Sequence, residues 1–154
     1  MTYAADGALS SSNHLVAGSH TITASGGSSL LGYAVNSSYA TGTLTVTPKA
    51  LTVSGTQVAS KDYDGTSHAT LSGGVLGGIV GADAVTAVDA GSFNSSHAAA
   101  SVNVTASYTL NGSDSGNYTV TQPTGLSGTI HPKAITATAA IGGTILASPT
   151  PLTP

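Results

Sequence analysis

The sequence predicts an all-β fold of two packed sheets, and three observations support this prediction. Apolar residues alternate with polar ones along extended runs, as from Val102 to Tyr108, which is the two-residue period of a half-buried antiparallel strand. Gly-rich turn sequences separate such runs, and no segment has the periodicity of an amphipathic helix. About seven short strands at this spacing favour a sandwich of antiparallel sheets.

The individual strands and turns follow from the same alternation. Strand-like segments lie at residues 21–23, 51–53, 84–88, 102–108 and 118–120. Turn sequences lie at residues 64–65, 73–74, 77–78 and 111–116, where glycine, asparagine or aspartate tolerates a positive φ. The pattern therefore predicts short strands joined by tight turns.

The composition is that of a folded but nearly uncharged chain. Of 154 residues, 40% are apolar and 6% are charged, and the formal net charge is −3. A disordered chain would combine low hydrophobicity with high net charge, so we expect this one to fold. Cysteine is absent, which excludes disulfides and thiolate metal sites. Three lysines without any arginine cannot form the basic surface that nucleic acids or anionic membranes require.

No segment has the character of a membrane span or of a secretion signal. The most apolar stretch, residues 69–88, is interrupted by glycines and by Asp83, and residues 1–6 lack a basic region followed by an apolar one. We therefore expect no membrane insertion, and we interpret Met1 as a start within a longer protein.

The chain repeats itself with a displacement of about 84 residues. The segment Pro-Lys-Ala-Leu-Thr-Val at 48–53 recurs as Pro-Lys-Ala-Ile-Thr-Ala at 132–137. Shorter matches keep the same order, since residues 42–44 correspond to 128–130, 32–35 to 116–120, and 23–25 to 105–107. Such self-similarity is the signature of a repeat architecture.

The repeat divides the chain into three parts. Residues 1–48 are predicted to be the C-terminal part of one unit or a degenerate unit, residues 49–133 one complete unit, and residues 134–154 the first strand of a following unit with a Pro-rich tail. On this interpretation the chain is a section of a tandem array.

Three ordered motifs resemble a known family. They are a first motif at 61–71 that begins Lys-Asp-Tyr-Asp-Gly-Thr, the motif Gly-Ala-Asp-Ala-Val at 81–85, and a third at 113–123 that begins Ser-Asp-Ser-Gly-Asn-Tyr. Together they resemble the YDG domain of large bacterial exoproteins, including filamentous-haemagglutinin-like adhesins exported by two-partner secretion. Residues 32–49 resemble the closing strands of an MBG unit, a related bacterial immunoglobulin-like domain.

The resemblance, which covers residues 32 to about 137, implies immunoglobulin-like antiparallel sandwiches in tandem. It also implies a stalk or adhesive spacer that is secreted to the bacterial cell surface, and it carries no catalytic residues. Because one fold serves many functions, the candidate sites are weighed separately below.

Asp62 and Asp64 are candidate calcium ligands, because two carboxylates before a glycine turn present hard oxygen atoms. Asp83 or Asp114 would join them if folding brought them near. The alternative, which we favour, is an Asx-type turn at Asp64-Gly65 with Tyr63 packed in the core. An EF-hand loop would also need a glutamate, and the chain has none.

The remaining residues predict neither an enzyme nor a cofactor. The five histidines lack zinc-motif spacing, no serine lies in a Gly-x-Ser-x-Gly elbow, and residues 73–78 lack the end of a phosphate loop. Five sequons mark candidate N-glycosylation sites in an exported protein, although a Ser/Thr-rich chain also produces sequons by accident. They are Asn36, Asn94, Asn103, Asn111 and Asn117.

Three functions fit these observations. We favour a non-catalytic structural module whose partners are neighbouring repeat units. The second is a self-assembling filament subunit, in which residues 134–146 of one copy complete the N-terminal unit of another. The third is direct binding of a host glycan or protein, with Tyr33, Tyr39 and Tyr63 as aromatic contacts.

Overall fold

The computed structural model describes residues 2–26 and 40–136. Within these residues the chain is nearly all β, which confirms the predicted class, and its one helical segment is a 3₁₀ turn at Ser115–Asn117. The strands are β1 (Thr2–Ala5), β2 (Gly18–Ser25), β3 (Gly42–Val46), β4 (Lys49–Ser54), β5 (Gln57–Val58), β6 (Lys61–Asp62), β7 (His68–Ala69), β8 (Leu71–Ser72), β9 (Val75–Gly77), β10 (Thr86–Phe93), β11 (Ala99–Asn111), β12 (Tyr118–Thr121) and β13 (Leu126–His131).

These strands form four sheets in the described part of the chain. The N-terminal sheet has the order β1-β2-β3, and the largest sheet has the order β6-β13-β11-β10-β7. A third sheet has the order β12-β4-β9, and β5 pairs with β8 alone.

The long strand β11 is the centre of the largest sheet, where it pairs with β10 on one side and β13 on the other. Its burial alternates strictly in the middle: Val102, Val104, Ala106 and Tyr108 are buried, and the residues between them are exposed. Because side chains of a strand point alternately to the two faces, one face of β11 contributes to the core and the other meets solvent. The predicted two-residue period is confirmed.

The core consists of two apolar clusters that lie along this buried face. In the first, Phe93, Val102 and Ile130 of the large sheet pack with Val58 and Leu71 of the β5–β8 pair. In the second, Leu51 of β4 and Tyr118 of β12 pack with Val85 and Leu110. Neighbouring strands of the large sheet therefore share their core with the two smaller sheets.

A side-chain clamp joins β11 to the end of β12. The amide of Gln122 accepts a hydrogen bond from the Tyr108 N–H (2.7 Å) and donates one to the Tyr108 carbonyl (2.9 Å). The Tyr108 hydroxyl lies 2.8 Å from Thr56 Oγ1. Both polar ends of a buried tyrosine are thus satisfied, as burial requires.

Two features differ from the predictions. The pairs β4–β12 and β6–β13 are parallel, so the expectation of purely antiparallel pairing is wrong for them. In both pairs the strands are far apart in sequence, so no hairpin forces them to run in opposite directions. Tyr63 was expected in the core, but its side chain is 40% exposed, because β6 ends at Asp62 and Tyr63 begins the turn outside the sheet.

The predicted turns and boundaries can be compared with the strands. Gly65, Gly73, Gly78 and Gly112 have positive φ, as the turn sequences predicted. The predicted boundary at 48/49 falls between the end of β3 and the start of β4. Residues 134–136 lie outside any strand, and the rest of the predicted third unit and of the strand at 134–146 lies outside the described residues.

Replacement of Ile130 should reveal how much the first cluster stabilises the fold. The Ile130 side chain is fully buried, so Ile130→Ala should lower the free energy of unfolding by about 2–5 kcal/mol. The control Ile135→Ala removes the same atoms from a residue that is 90% exposed and should change it by less than about 0.5 kcal/mol. Urea denaturation of both variants measures the difference, and equal effects would contradict this description of the core.

Candidate functional site

The connection between β1 and β2 forms a hairpin tip that reaches the rest of the protein. Residues 10–14, which we call the hairpin tip, lie between Leu9 and Leu15, which form an isolated antiparallel β-bridge. The Ser10 N–H donates to the His14 carbonyl (2.7 Å), and Asn13 has a φ of 60°, which closes the turn. The tip therefore has a defined shape and presents the backbone N–H groups of Ser11 and Ser12.

Two aspartates accept hydrogen bonds from these N–H groups. Asp83, in the Gly-Ala-Asp motif, is 9% exposed, and Asp114, which precedes the 3₁₀ turn, is 5% exposed. The Ser12 N–H donates to Asp83 Oδ1 (3.0 Å), and the Ser11 N–H donates to Asp114 Oδ1 (3.2 Å). A buried carboxylate is costly without such donors, so the tip stabilises both.

The second oxygen of each carboxylate is bound by its own unit. Asp83 Oδ2 accepts a hydrogen bond from the Tyr118 hydroxyl (2.7 Å), and that hydroxyl accepts one from the Val80 N–H (3.1 Å). Asp114 Oδ2 accepts one from the Ala84 N–H (2.7 Å). We call Gly81, Asp83, Asp114 and Tyr118 the carboxylate socket. It is assembled from residues that are distant in sequence, and the tip adds two further hydrogen bonds to it.

Ser12 is the residue of the tip that the socket holds most fully. Its hydroxyl donates to the Val80 carbonyl (3.1 Å) and accepts from the Ala82 N–H (2.7 Å), in addition to the bond from its own N–H to Asp83. Gly81 makes this approach feasible, because a Cβ there would lie 2.6 Å from Ser12 Oγ. Its φ of +54° is also a region that glycine adopts without strain.

A cavity lies beside the hairpin tip. Its volume is about 170 Å³, and its lining includes Leu15 and Val46 from the N-terminal segment and Val80 and Tyr118 from the following unit. At its edge, Asn117 Oδ1 accepts a hydrogen bond from the Ala17 N–H (2.7 Å). The two parts of the chain therefore meet across polar bonds and an apolar space.

These bonds shift the pKa values of the socket. The hydrogen bond from Tyr118, followed by those from Ser10 and Ser12, lowers the pKa of Asp83 from 3.8 to about 2. Hydrogen bonds from Ser11 and Ala84 lower the pKa of Asp114, although the nearby Asp83 charge opposes this shift. Burial, and then the bond to Asp83, raises the pKa of Tyr118 above 10.0. At neutral pH both aspartates are charged and Tyr118 is neutral.

Comparison with known families detects a YDG domain at residues 47–125, about half of the chain, and this span contains the whole carboxylate socket. The chain belongs to the YDG domain family. Comparison with curated proteins and with solved structures finds no match. The Gly-Ala-Asp and Ser-Asp-Ser-Gly-Asn-Tyr motifs of the YDG domain are thus the ones that hold the hairpin tip.

The structure places the calcium candidates elsewhere. Asp64 forms an ion pair with Lys61 (2.7 Å) and accepts hydrogen bonds from the Thr66 N–H (2.8 Å) and hydroxyl (2.9 Å). The hydrogen bond from Lys61, and to a smaller extent those from Thr66, hold the pKa of Asp64 well below its ordinary value. The Asx-type turn is therefore present. Asp62 lies in β6, and Asp83 and Asp114 gather at the socket and not with Asp64. In residues 2–26 and 40–136, no three histidine or acidic side chains form a metal-binding group.

The sequons occupy different environments in the YDG domain. Asn94, Asn103 and Asn111 are exposed, whereas Asn117 is half-buried and binds Ala17 through its side chain. Glycosylation of the exposed sites stays a prediction. Asn36, Tyr33 and Tyr39 lie outside the described residues. No helix in the described ranges is long and apolar enough to cross a membrane.

Asn117, Asp83 and Asp114 were predicted only as glycosylation or calcium candidates, and their contact with the N-terminal segment was not predicted. The sequence did contain a signal: in a chain with 6% charged residues, both aspartates lie in apolar or small-residue surroundings, with no lysine within their motifs. Buried aspartates without a cation are held by hydrogen-bond donors, and backbone N–H groups are the commonest source.

Gly81→Ala should disturb the docking of the hairpin tip, and Gly65→Ala provides a matched control. Both glycines have positive φ, so each alanine should cost about 1 kcal/mol of unfolding free energy. Only at Gly81 does the new Cβ meet Ser12. A Cβ at Gly65 would have no atom within 4 Å apart from those of its chain neighbours. Hydrogen exchange of the Ser12 amide should accelerate in Gly81→Ala alone. Unchanged Ser12 protection in that variant would contradict the docking.

Acid should release the hairpin tip, because the carboxylates of the socket bind it in their charged form. Because the pKa of Asp83 is lower in the folded than in the unfolded chain, its charge stabilises the fold at pH values above the ordinary pKa of 3.8. This stabilisation is lost as the pH falls towards about 2. The raised pKa of Tyr118 has the opposite sign, so its contribution is lost as the pH rises above 10.0.

The melting temperature should therefore be steady between these limits and fall outside them. Asp64 also contributes to the acid decrease, so protection of the Ser12 amide is the specific measurement. In Asp83→Asn, that protection should depend less on pH between 4 and 2 than in the unaltered chain. An identical acid profile in both proteins would show that Asp83 is not responsible.

Proposed function

We propose that this chain is a structural repeat module, a non-catalytic spacer of a secreted bacterial surface protein. The observation that carries the proposal is the position of the two connections of the YDG unit. The carboxylate socket receives the preceding segment beside Asn111, the last residue of β11, and β4 enters there because Lys49 pairs with Tyr118. The chain leaves along β13, whose Ile130 pairs with Ala99, the first residue of β11.

The unit is therefore joined to its neighbours at opposite ends of one strand. A strand of thirteen residues at roughly 3.3 Å per residue is about 40 Å long. Units that are connected in this way extend a chain instead of folding back on one another. This geometry suits a stalk, in which each unit needs stability only against its neighbours.

The shared apolar clusters support an immunoglobulin-like sandwich as the form of each unit. The buried face of β11 and β10 lies opposite the β5–β8 pair and the β12-β4-β9 sheet. We also propose that the N-terminal sheet, with the order β1-β2-β3, is the end of a related, MBG-like unit. We propose on this basis tandem immunoglobulin-like modules exported to the cell surface, in the manner of filamentous-haemagglutinin-like proteins.

The sparse charge of the chain fits the same role. With 6% charged residues, its exposed strand faces are covered largely by serine and threonine hydroxyl groups. Such a surface stays hydrated without attracting charged molecules, so the binding of a target would be left to other parts of the protein.

The spacer function predicts added reach. When the chain is inserted between a cell-surface anchor and a fluorescent tag, the tag should move outward by about 40 Å or more, the length of β11. Super-resolution measurement of tag height, with the tag fused directly to the anchor as control, tests this. An unchanged height would count against a spacer.

Direct adhesion makes a different prediction for the same chain. In an assay of host glycans and proteins, the spacer should show no saturable binding. Saturable binding that is abolished by Tyr63→Ala, a change at an exposed aromatic side chain, would favour the adhesive function instead.

A further inference from the structure

The end of the YDG unit where the chain leaves has the same construction as the end of the N-terminal segment that docks on the socket. In the N-terminal sheet, β2 pairs with β1 and β3, and in the large sheet β11 pairs with β10 and β13. All four pairings are antiparallel. β1, β2 and β3 thus correspond in order to β10, β11 and β13.

The connection next to the chain exit is the same in both. In the N-terminal segment, β3 ends beside the start of β2, because Val46 pairs with Gly18, so the hairpin tip lies next to the exit. In the YDG unit, Ile130 pairs with Ala99, so the β10–β11 connection at residues 94–98 lies next to the exit. We call residues 94–100 and 129–132 the exit face.

The sequence of the exit face supports this correspondence. A displacement of 83 residues takes Ser12 to Ser95 and His14 to His97, close to the displacement of 84 that takes Pro48 to Pro132. The connection at 94–98 is shorter than that at 6–17, and the β10–β11 ladder ends with the pair of Phe93 and Val104. In each connection the histidine N–H donates to a serine hydroxyl, His14 to Ser10 (3.4 Å) and His97 to Ser95 (3.1 Å). The spacing differs, because the serine lies four residues before His14 and two residues before His97.

A second cavity provides independent evidence. The exit face lines an apolar space of about 200 Å³ between residues 98–100 and 129–132. The same displacements relate Leu15 and Ala17 of the junction cavity to Ala98 and Ala100, and Val46 and Thr47 to Ile130 and His131. In the junction cavity, Val80, Asp83 and Tyr118 of the following unit form the opposite wall. At the exit face, none of the described residues forms such a wall.

We propose that the exit face is the surface by which this unit docks onto the carboxylate socket of a following YDG unit, with Ser95 in the position that Ser12 occupies here. The proposal rests on the proposed spacer function and names its partner, a second copy of residues 49–133. Residues 133–136 begin that unit, since they repeat Lys49 to Thr52. The surfaces are compatible, because residues 94–100 and 129–132 contain no acidic side chain that would repel the two carboxylates of the socket.

A tandem protein tests the inference without removing any part of the existing junction. It consists of residues 1–132 followed by residues 49–154, with the first part isotope-labelled by segmental ligation so that its amides are observed alone. Hydrogen exchange of the Ser95 amide, which corresponds to Ser12, should be at least 10-fold slower in the first copy of the tandem than in the single chain. Gly81→Ala in the second copy should restore the faster exchange, and Gly65→Ala in the second copy should not.

The hairpin tip at residues 10–14 provides an internal reference. If the Ser95 amide exchanges equally fast in both proteins while the Ser11 and Ser12 amides stay protected, the docking of the exit face is refuted and the spacer proposal stands. If the Ser11 and Ser12 amides are also unprotected, the junction on which the spacer proposal depends is absent. Slow exchange at Ser95 that survives Gly81→Ala in the second copy would likewise refute docking in the socket.

Discussion

The structure depends on how two nearly buried carboxylates obtain their hydrogen bonds. Asp83 and Asp114 each bind one donor from their own unit, the Tyr118 hydroxyl and the Ala84 N–H, and one backbone N–H from the hairpin tip. An acceptor left without its donor in a buried site costs more than the bond itself contributes. The hairpin tip therefore stabilises the charged socket and couples the YDG unit to the segment that precedes it in this chain.

Glycine and the tyrosine hydroxyl make this coupling specific. A side chain at position 81 would displace Ser12, so the tip can approach this closely only because residue 81 is a glycine. The Tyr118 ring lies in the second apolar cluster while its hydroxyl binds both Asp83 and the Val80 N–H. A single side chain thus links the packing of the core to the junction. A change in the packing of β4 against β12 would also move the donor on which Asp83 depends.

The sequence predicted what is determined locally. The alternation along β11 and the glycines with positive φ depend on neighbouring residues, and the structure confirms both. The socket could not be predicted in this way, because Asp83 and Asp114 meet donors from a tip that lies 71 and 103 positions away. The parallel pairs β4–β12 and β6–β13 are equally non-local. Tyr63 was misplaced because an aromatic residue next to a strand was taken as part of its buried face.

The chemistry of the junction also explains how a nearly uncharged protein forms a specific joint. Ion pairs between exposed groups weaken as salt screens them, and the described ion pair between Lys61 and Asp64 lies within one turn, away from the joint. At the joint, charged carboxylates bind backbone N–H groups and a hydroxyl, and burial shields these bonds from salt. The directions of the N–H groups fix the angle of approach, whereas charge attraction alone would not. Hydrogen bonds to buried carboxylates therefore give a joint whose geometry and strength depend little on ionic strength.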